Sequence, residues 1–493
     1  MVKKTTLFIA GVVLVGLATA VILSRRGWQS VTSGKSAEEA YRVRDKRIIE
    51  LAQRLLQTTD EQVDDLIMPN PHPQAQWFPE AGLGLFMHWG IHSVVGAQPS
   101  WAMIKDYIWA GPVFLHPPEK YYALAGQFDP QNWHPQKWLK TAKDAGFQYA
   151  VLTTKHHDGY ALWPSRYGNL STRQVLDGRD LLADYVEGCR RNGLKVGFYF
   201  SPRDWHYPNF PLNHVDFDAN KTGQYPEVDP QLNRRRFEQF FTFTIAQLHE
   251  ILTRYGTIDL LWFDGMGWHG IDDMHTKAVY QWVRTLQPHI VINDRWGKVR
   301  NPDDTQDISQ FGDFLTIECR RAEERPQGWW ETCDIWDTGG GWGYDTNEGI
   351  RSLEWTLSSL IRCRQWGGNF LPNVGPRPDG EMTRGFYERC AELQEWMARH
   401  GESVIATLPP PADSVANVPL TCREHTWYLH VAPEQNRTGA ILVRPPRPIS
   451  EAVIMRTGSA VAFERREAWY RIQPPPGKSR EVIRLTLSSQ SGE

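Results

Sequence analysis

Two carboxylates stand where apolar runs stop. Asp264 follows Leu261-Trp262-Phe263 and precedes Gly265, and Glu318 ends Phe314-Leu315-Thr316-Ile317. A strand packed in a core has no use for an acid at its tip. The plain alternatives are an Asp that caps the next helix and a Glu on a surface loop. Between the two acids, Ile290-Val291-Ile292 runs into Asn293-Asp294-Arg295-Trp296. Two acids on strand tips with one βα unit between them can face each other across a shared mouth. Cleavage of a glycosidic bond asks for such a pair, one carboxyl acting at the anomeric carbon and the other protonating the departing oxygen.

Other apolar runs also end in reactive or polar residues. Met87 gives way to His88-Trp89-Gly90, Thr154 to Lys155-His156-His157-Asp158-Gly159, and Phe198 to Tyr199. His156 and His157 invite a metal reading, but neighbours on an extended strand point to opposite faces. No His-Glu-x-x-His pattern or third clustered ligand accompanies them, so neither a metal centre nor a cofactor is expected. Neutral imidazoles, each with one donor and one acceptor nitrogen, suit sugar hydroxyls. The chain also carries 22 Trp, 17 Tyr and 20 Phe, and aromatic rings stack on the C–H faces of sugars as readily as they fill cores. A Gly-x-Ser-x-Gly elbow, a P-loop and a dinucleotide fingerprint are all missing. Gly339-Gly340-Gly341, before Trp342, lacks the Lys-Ser/Thr that would hold a phosphate and reads as a flexible loop.

Buried parallel strands whose last residues turn polar are what a barrel with its site at the C-terminal mouth requires. Residues 76–403 alternate short apolar runs with helical periodicity and predict an α/β fold, a (β/α)8-like TIM-type barrel. Residues 31–75 read as a helical lead-in or stalk, charged and helix-prone from Ser36 to Ile67 and stopped by Pro69-Asn70-Pro71-His72-Pro73. Beyond Leu408-Pro409-Pro410-Pro411, alternating segments such as Thr426–Val431, Gly439–Val443, Ala452–Met455 and Val482–Leu487 replace helical periodicity. Residues 404–493 therefore predict a small antiparallel β-sandwich.

Residues 1–30 predict an N-terminal hydrophobic helix. Lys3-Lys4 and Arg25-Arg26 flank an uncharged run over residues 5–24, long enough to span a membrane as a helix. Ala18-Thr19-Ala20 also matches a signal-peptidase site, so a cleaved leader and a retained anchor are both open. Either one makes the protein exported: periplasmic, extracellular or membrane-anchored, with the catalytic part outside the cytoplasm. Basic and acidic residues nearly balance, 54 against 57, and no nucleic-acid partner is implied. Six scattered cysteines without CxxC spacing leave room for one or two disulfides and argue against a zinc module. Asn169, Asn220 and Asn436 begin Asn-x-Ser/Thr matches, relevant only in a host that glycosylates. Nothing in the sequence sets an oligomeric state.

Several motifs resemble the α-L-fucosidase family of glycoside hydrolases (glycoside hydrolase family twenty-nine). They are Trp77-Phe78 through Met87-His88-Trp89-Gly90, Lys155–Gly159, Asn293–Gly297 and Gly367–Gly375, in order over residues 76–403. The resemblance implies a barrel followed by a β-sandwich, retaining hydrolysis of terminal α-L-fucosyl residues from glycans or glycoconjugates, and no cofactor. It implies Asp264 as nucleophile and Glu318 as general acid/base. It carries fucose binding onto His88, Trp101, His156, His157, Tyr199, Trp262 and Arg295, with Trp342 lining the sugar methyl group. Many relatives carry Glu-Trp where this chain has Ser100-Trp101, which puts substrate preference rather than reaction class in question. The rival readings are a catalytically silent carbohydrate-binding protein and the same chemistry on an α-L-galactoside.

Overall fold

The structure, a computed structural model, describes residues 35–488 apart from 64–65, 105–110, 112, 116, 212–227, 297–310, 434–438 and 475–479. The apolar run over residues 5–24 lies outside the described residues, as do Asn220 and Asn436. Among the described residues no helix is long and apolar enough to cross a membrane.

Eight parallel strands form the central sheet: β1 Gly84–Met87, β2 Tyr149–Lys155, β3 Lys195–Phe200, β4 Leu260–Phe263, β5 Val291–Ile292, β6 Phe314–Glu318, β7 Trp329–Ile335 and β8 Asn369–Val374. Their order is β5-β4-β3-β2-β1-β8-β7-β6, and a single bridge, Asn293 to Phe314, joins the two ends into a barrel. Alternate residues serve different cores, as the two-residue period of a strand requires. Phe86, Tyr149, Val151, Tyr199, Trp262 and Cys333 share one buried cluster, the barrel interior. Leu85, Ala150, Phe198, Leu261 and Phe263 belong to the larger core shared with the helices.

Those helices include α1 Lys46–Gln57, α2 Pro135–Asp144, α3 Leu181–Arg191, α4 Pro230–Arg254, α5 Thr276–Leu286, α6 Leu353–Arg364 and α7 Arg384–His400. The link between β6 and β7 contains no helix. The lead-in is not one helix and not a stalk. It breaks at residues 41–45, and α1 buries Ile48, Ala52 and Leu55. Tyr41 in that break packs on Phe243 of α4 and meets His206 Nδ1 through its hydroxyl at 2.6 Å. Apolar spacing in a charged helix thus marks a face laid on the barrel.

The closing joint between β5 and β6 is built largely from side chains. Asp313 donates its N–H to the Ile292 carbonyl at 2.7 Å and accepts the Ile292 N–H on Oδ2 at 2.7 Å. Asp294 Oδ1 accepts the Thr316 N–H at 3.1 Å. Asp313 also accepts the Asn70 N–H at 2.7 Å and pairs with Arg284. Burial pushes Asp313 and Asp294 each up to about 6. Gly312 is required here, since a Cβ would come within 2.6 Å of the Asp294 backbone.

After the barrel come two four-stranded sheets. One has the order β10-β11-β16-β13, with β10 Leu420–Arg423, β11 Thr426–Val431, β13 Ile449–Ile454 and β16 Glu481–Leu487. The other has the order β14-β15-β12-β9, with β9 Val415–Ala416, β12 Ile441–Arg444, β14 Phe463–Arg466 and β15 Trp469–Ile472. All their pairings are antiparallel, and inner-face residues such as Trp427, Leu429, Ile441 and Ile483 form a separate core. Arg480 Nε reaches back to Glu354 of α6 at 3.1 Å. All six cysteines are free thiols, so the disulfides for which the sequence left room are not formed.

Candidate active site

The polar strand ends meet at one mouth. His88 follows β1, His156 and His157 follow β2, Tyr199 lies in β3, Asp264 follows Trp262-Phe263 of β4, Arg295 follows β5, and Glu318 is the last residue of β6. Parallel register places Tyr199 beside Trp262, their rings stacked at 5.4 Å. The His156 ring lies parallel to Tyr199 at 5.6 Å.

Asp264 is held from several directions. Its Oδ2 accepts the Tyr199 hydroxyl at 2.7 Å and lies 3.6 Å from His157 Nε2. Its Oδ1 lies 3.8 Å from Arg295 Nη1. Arg295 Nη2 donates to Glu318 Oε2 at 2.5 Å, and the guanidinium sits over the Trp262 ring at 4.9 Å. Burial alone would raise the Asp264 pKa, but Arg295, the Tyr199 hydroxyl and Arg203 outweigh it and hold the carboxyl below its usual range. Asp264 and Glu318 keep 25% and 29% of their side-chain surface exposed, so both can be reached by a ligand.

The histidines are neutral. Burial lowers His88 to about 4 and His157 to about 3, and lowers His156 well below its usual value. His88 Nδ1 meets Asn373 Oδ1 at 2.7 Å, His156 Nδ1 meets Ser100 Oγ at 2.5 Å, and His157 Nδ1 meets Ser201 Oγ at 2.6 Å. Trp342 faces His88 at 5.1 Å and is pinned by Gln98 Oε1 on its N–H at 3.0 Å and by Asn373 Nδ2 on its carbonyl at 2.8 Å. Trp101 stands edge-on to His157 at 5.7 Å. The expectation that His156 and His157 point to opposite faces fails. Strand β2 ends at Lys155, and on the turn beyond it the two rings approach to 4.2 Å. With Asp264 they put ligand atoms within 4.8 Å of one another, a nitrogen and oxygen set that suits a divalent metal as well as hydroxyl groups.

Two carboxylates on strand tips, one guanidinium touching both, and a ring of neutral imidazoles and aromatic faces can bind a polyol and act on it by acid/base and nucleophilic chemistry. The family model for Alpha-L-fucosidase matches residues 52–402. The rat tissue alpha-L-fucosidase (Rattus norvegicus) is 31% identical over 72% of this chain and 74% of its own length. The human tissue enzyme (Homo sapiens) is 29% identical over 68% and 70%. The structure of alpha-L-fucosidase isoenzyme 1 from Paenibacillus thiaminolyticus superposes with a TM-score of 0.70 at 28% identity, covering 85% of this chain and 99% of that one.

This chain belongs to the α-L-fucosidase family. It is a glycoside hydrolase with that family's barrel and β-sandwich.

Against this family background, Ser100 is a buried residue at φ 60°. Its hydroxyl accepts the Asp158 N–H at 2.8 Å besides meeting His156. Sequence reasoning missed Glu331, buried within β7. Its carboxylate accepts the Trp262 Nε1–H at 3.2 Å and the Tyr149 hydroxyl, spanning the barrel below the site. Burial pushes Glu331 up to about 7, against the opposing effect of those two hydrogen bonds. Asn373, Ser201 and Arg203 were also missed. Asn373 lies inside the Gly367–Gly375 motif, which was the available signal.

Proposed function

We propose that this protein is a retaining exo-glycosidase that removes terminal α-L-fucosyl residues from oligosaccharides or glycoconjugates, with Asp264 as nucleophile and Glu318 as general acid/base. The observation that carries the reading is the single Arg295 guanidinium that contacts both carboxylates, 3.8 Å from Asp264 and 2.5 Å from Glu318. Asp264 attacks the anomeric carbon as the glycosidic C–O bond breaks, and the Glu318 proton passes to the leaving oxygen. Glu318 then takes a proton from water, whose oxygen attacks the anomeric carbon and releases Asp264. Two inversions leave the configuration retained. His88, His156, His157, Tyr199 and Trp101 bind the sugar hydroxyls and ring, Trp262 supports the guanidinium, and Trp342 selects the C5 methyl against a hydroxymethyl. The uncharged run flanked by Lys3-Lys4 and Arg25-Arg26 supports export, cleaved or anchored, so that the reaction takes place outside the cytoplasm.

Turnover of an aryl α-L-fucoside by wild type, but not by Asp264→Gly or Glu318→Ala, is the expected result. No release by any of the three supports a silent sugar-binding protein. Faster turnover of the aryl α-L-galactoside displaces the fucoside assignment.

A further inference from the structure

A hydroxyl or a neutral imidazole has only one proton to give, so a hydrogen-bond network can assign where each proton lies. The Ser201 hydroxyl contacts the Arg203 carbonyl at 3.0 Å. A carbonyl only accepts, so Ser201 spends its proton there and must accept from His157. His157 therefore carries its proton on Nδ1, and its Nε2, 3.6 Å from Asp264 Oδ2, is a lone pair. The Asn373 amide nitrogen donates to the Trp342 carbonyl, which leaves Asn373 Oδ1 as the acceptor facing His88. His88 is thus also protonated on Nδ1, with a lone pair on Nε2.

His156 is different. Ser100 Oγ accepts the Asp158 N–H at 2.8 Å, and among the described residues the only acceptor within reach of the Ser100 proton is His156 Nδ1, at 2.5 Å. Ser100 then donates to Nδ1, and the ring proton of His156 sits on Nε2. One serine gives its proton to a histidine while the other takes one.

We propose that Ser100 and Ser201 are positioning residues that set opposite tautomers on adjacent histidines. With Asn373, they make the sugar-facing Nε2 atoms an acceptor at His88, a donor at His156 and an acceptor at His157. The ligand that fits is a sugar with two hydroxyls that donate, to His88 and His157, and an oxygen that accepts from His156. The two acceptors His157 Nε2 and Asp264 Oδ2 need a proton between them, which a ligand hydroxyl supplies. Burial, which keeps all three rings neutral, preserves the pattern. The ligand assignment rests on the fucoside reading above, but the tautomers do not.

The test is long-range 1H–15N correlation of histidine-labelled full-length enzyme without ligand, the signals assigned by His→Gln variants. Protons on Nδ1 of His88 and His157 and on Nε2 of His156 are expected. In Ser100→Gly, which suits the positive φ at this position, His156 should lose its single-tautomer signature, and kcat/KM for the aryl fucoside should fall about 10-fold. Ser201→Ala should do the same at His157 and leave His156 unchanged. Matching tautomers at His156 and His157 in wild type, or a Ser100→Gly spectrum identical to wild type, overturns the proposal. A wild type that shows the expected tautomers yet releases no aryl group sinks only the fucoside reading.

Discussion

Arg295 and Glu318 are joined across the closing edge of the barrel, Nη2 to Oε2 at 2.5 Å, while the other terminal nitrogen of the same guanidinium lies 3.8 Å from Asp264. A planar guanidinium offers each carboxylate its own terminal nitrogen, whereas an ammonium must serve both from a single nitrogen. Arg295→Lys should lower kcat/KM for an aryl α-L-fucoside on the order of 10²-fold, the loss expected when the two acids it spaces shift by about 1 Å. Arg295→Ala should also shift the acid limb of the kcat/KM profile to higher pH, because the nearest cation holding Asp264 ionised is gone. An unmoved acid limb would contradict the assigned role.

Azide separates the roles of the two acids. In Glu318→Ala the fucosyl-enzyme still forms, and azide attacking it gives an α-fucosyl azide, with kcat raised above the level without azide. In Asp264→Gly, azide enters from the vacated face and attacks the substrate directly, giving the β-anomer. Without azide each variant should lose on the order of 10²- to 10⁴-fold or more. NMR of the products reads the anomer, and the opposite stereochemistry would exchange the two roles.

Burial of His88 makes the fold sensitive to acid. Its folded pKa of about 4 lies below the unfolded value of 6.5, so between these values the unfolded chain binds more protons. Stability is then full above pH 6.5 and falls as pH drops toward 4, by on the order of 3 kcal/mol from this group. His88→Asn should flatten that part of the Tm profile between pH 4 and 7. A wild-type and variant pair with parallel profiles would refute this account.

Glu331 acts in the other direction. Its folded pKa of about 7 exceeds the ordinary glutamate value of 4.5, so the unfolded chain releases its proton first and stability falls as pH rises from 4.5 to 7. Glu331→Gln has no such charge, and its amide can accept from Trp262 while donating to the Tyr149 oxygen. The stability advantage of the variant over wild type should therefore widen between pH 5 and 8 by on the order of a few kcal/mol, and the gap in Tm with it. A constant offset across that range would show that the buried charge is not the cause.

The strands easiest to read were those whose apolar run stops abruptly at a reactive residue, as at Met87-His88 or Phe263-Asp264. β7 escaped because Glu331, Thr332 and Asp334 interrupt its apolar character. The polar residue it buries is satisfied by partners on β2 and β4, which only the closed barrel brings within reach. β8 escaped for a similar reason, with Pro372 and Asn373 in a six-residue strand. Most of the site residues could be read because they sit at strand tips, a local feature, whereas Trp101 and Trp342 lie off the strands and came with the family resemblance. Their supports could not, since Ser201, Asn373 and Glu331 owe their roles to neighbours distant in the chain. The metal argument from His156 and His157 went astray by extending strand alternation past the residue where the strand ends.

The joint at Asp294, Gly312 and Asp313 has one more implication. Along the other edges of the barrel, backbone ladders set the spacing of neighbouring strands. Between β5 and β6 much of the stitching is done by side chains, and this is the edge that Arg295 and Glu318 straddle. Mutations there would alter the gap between the two acids without ever contacting a ligand, which makes this joint the place to begin when retuning which leaving groups the enzyme accepts.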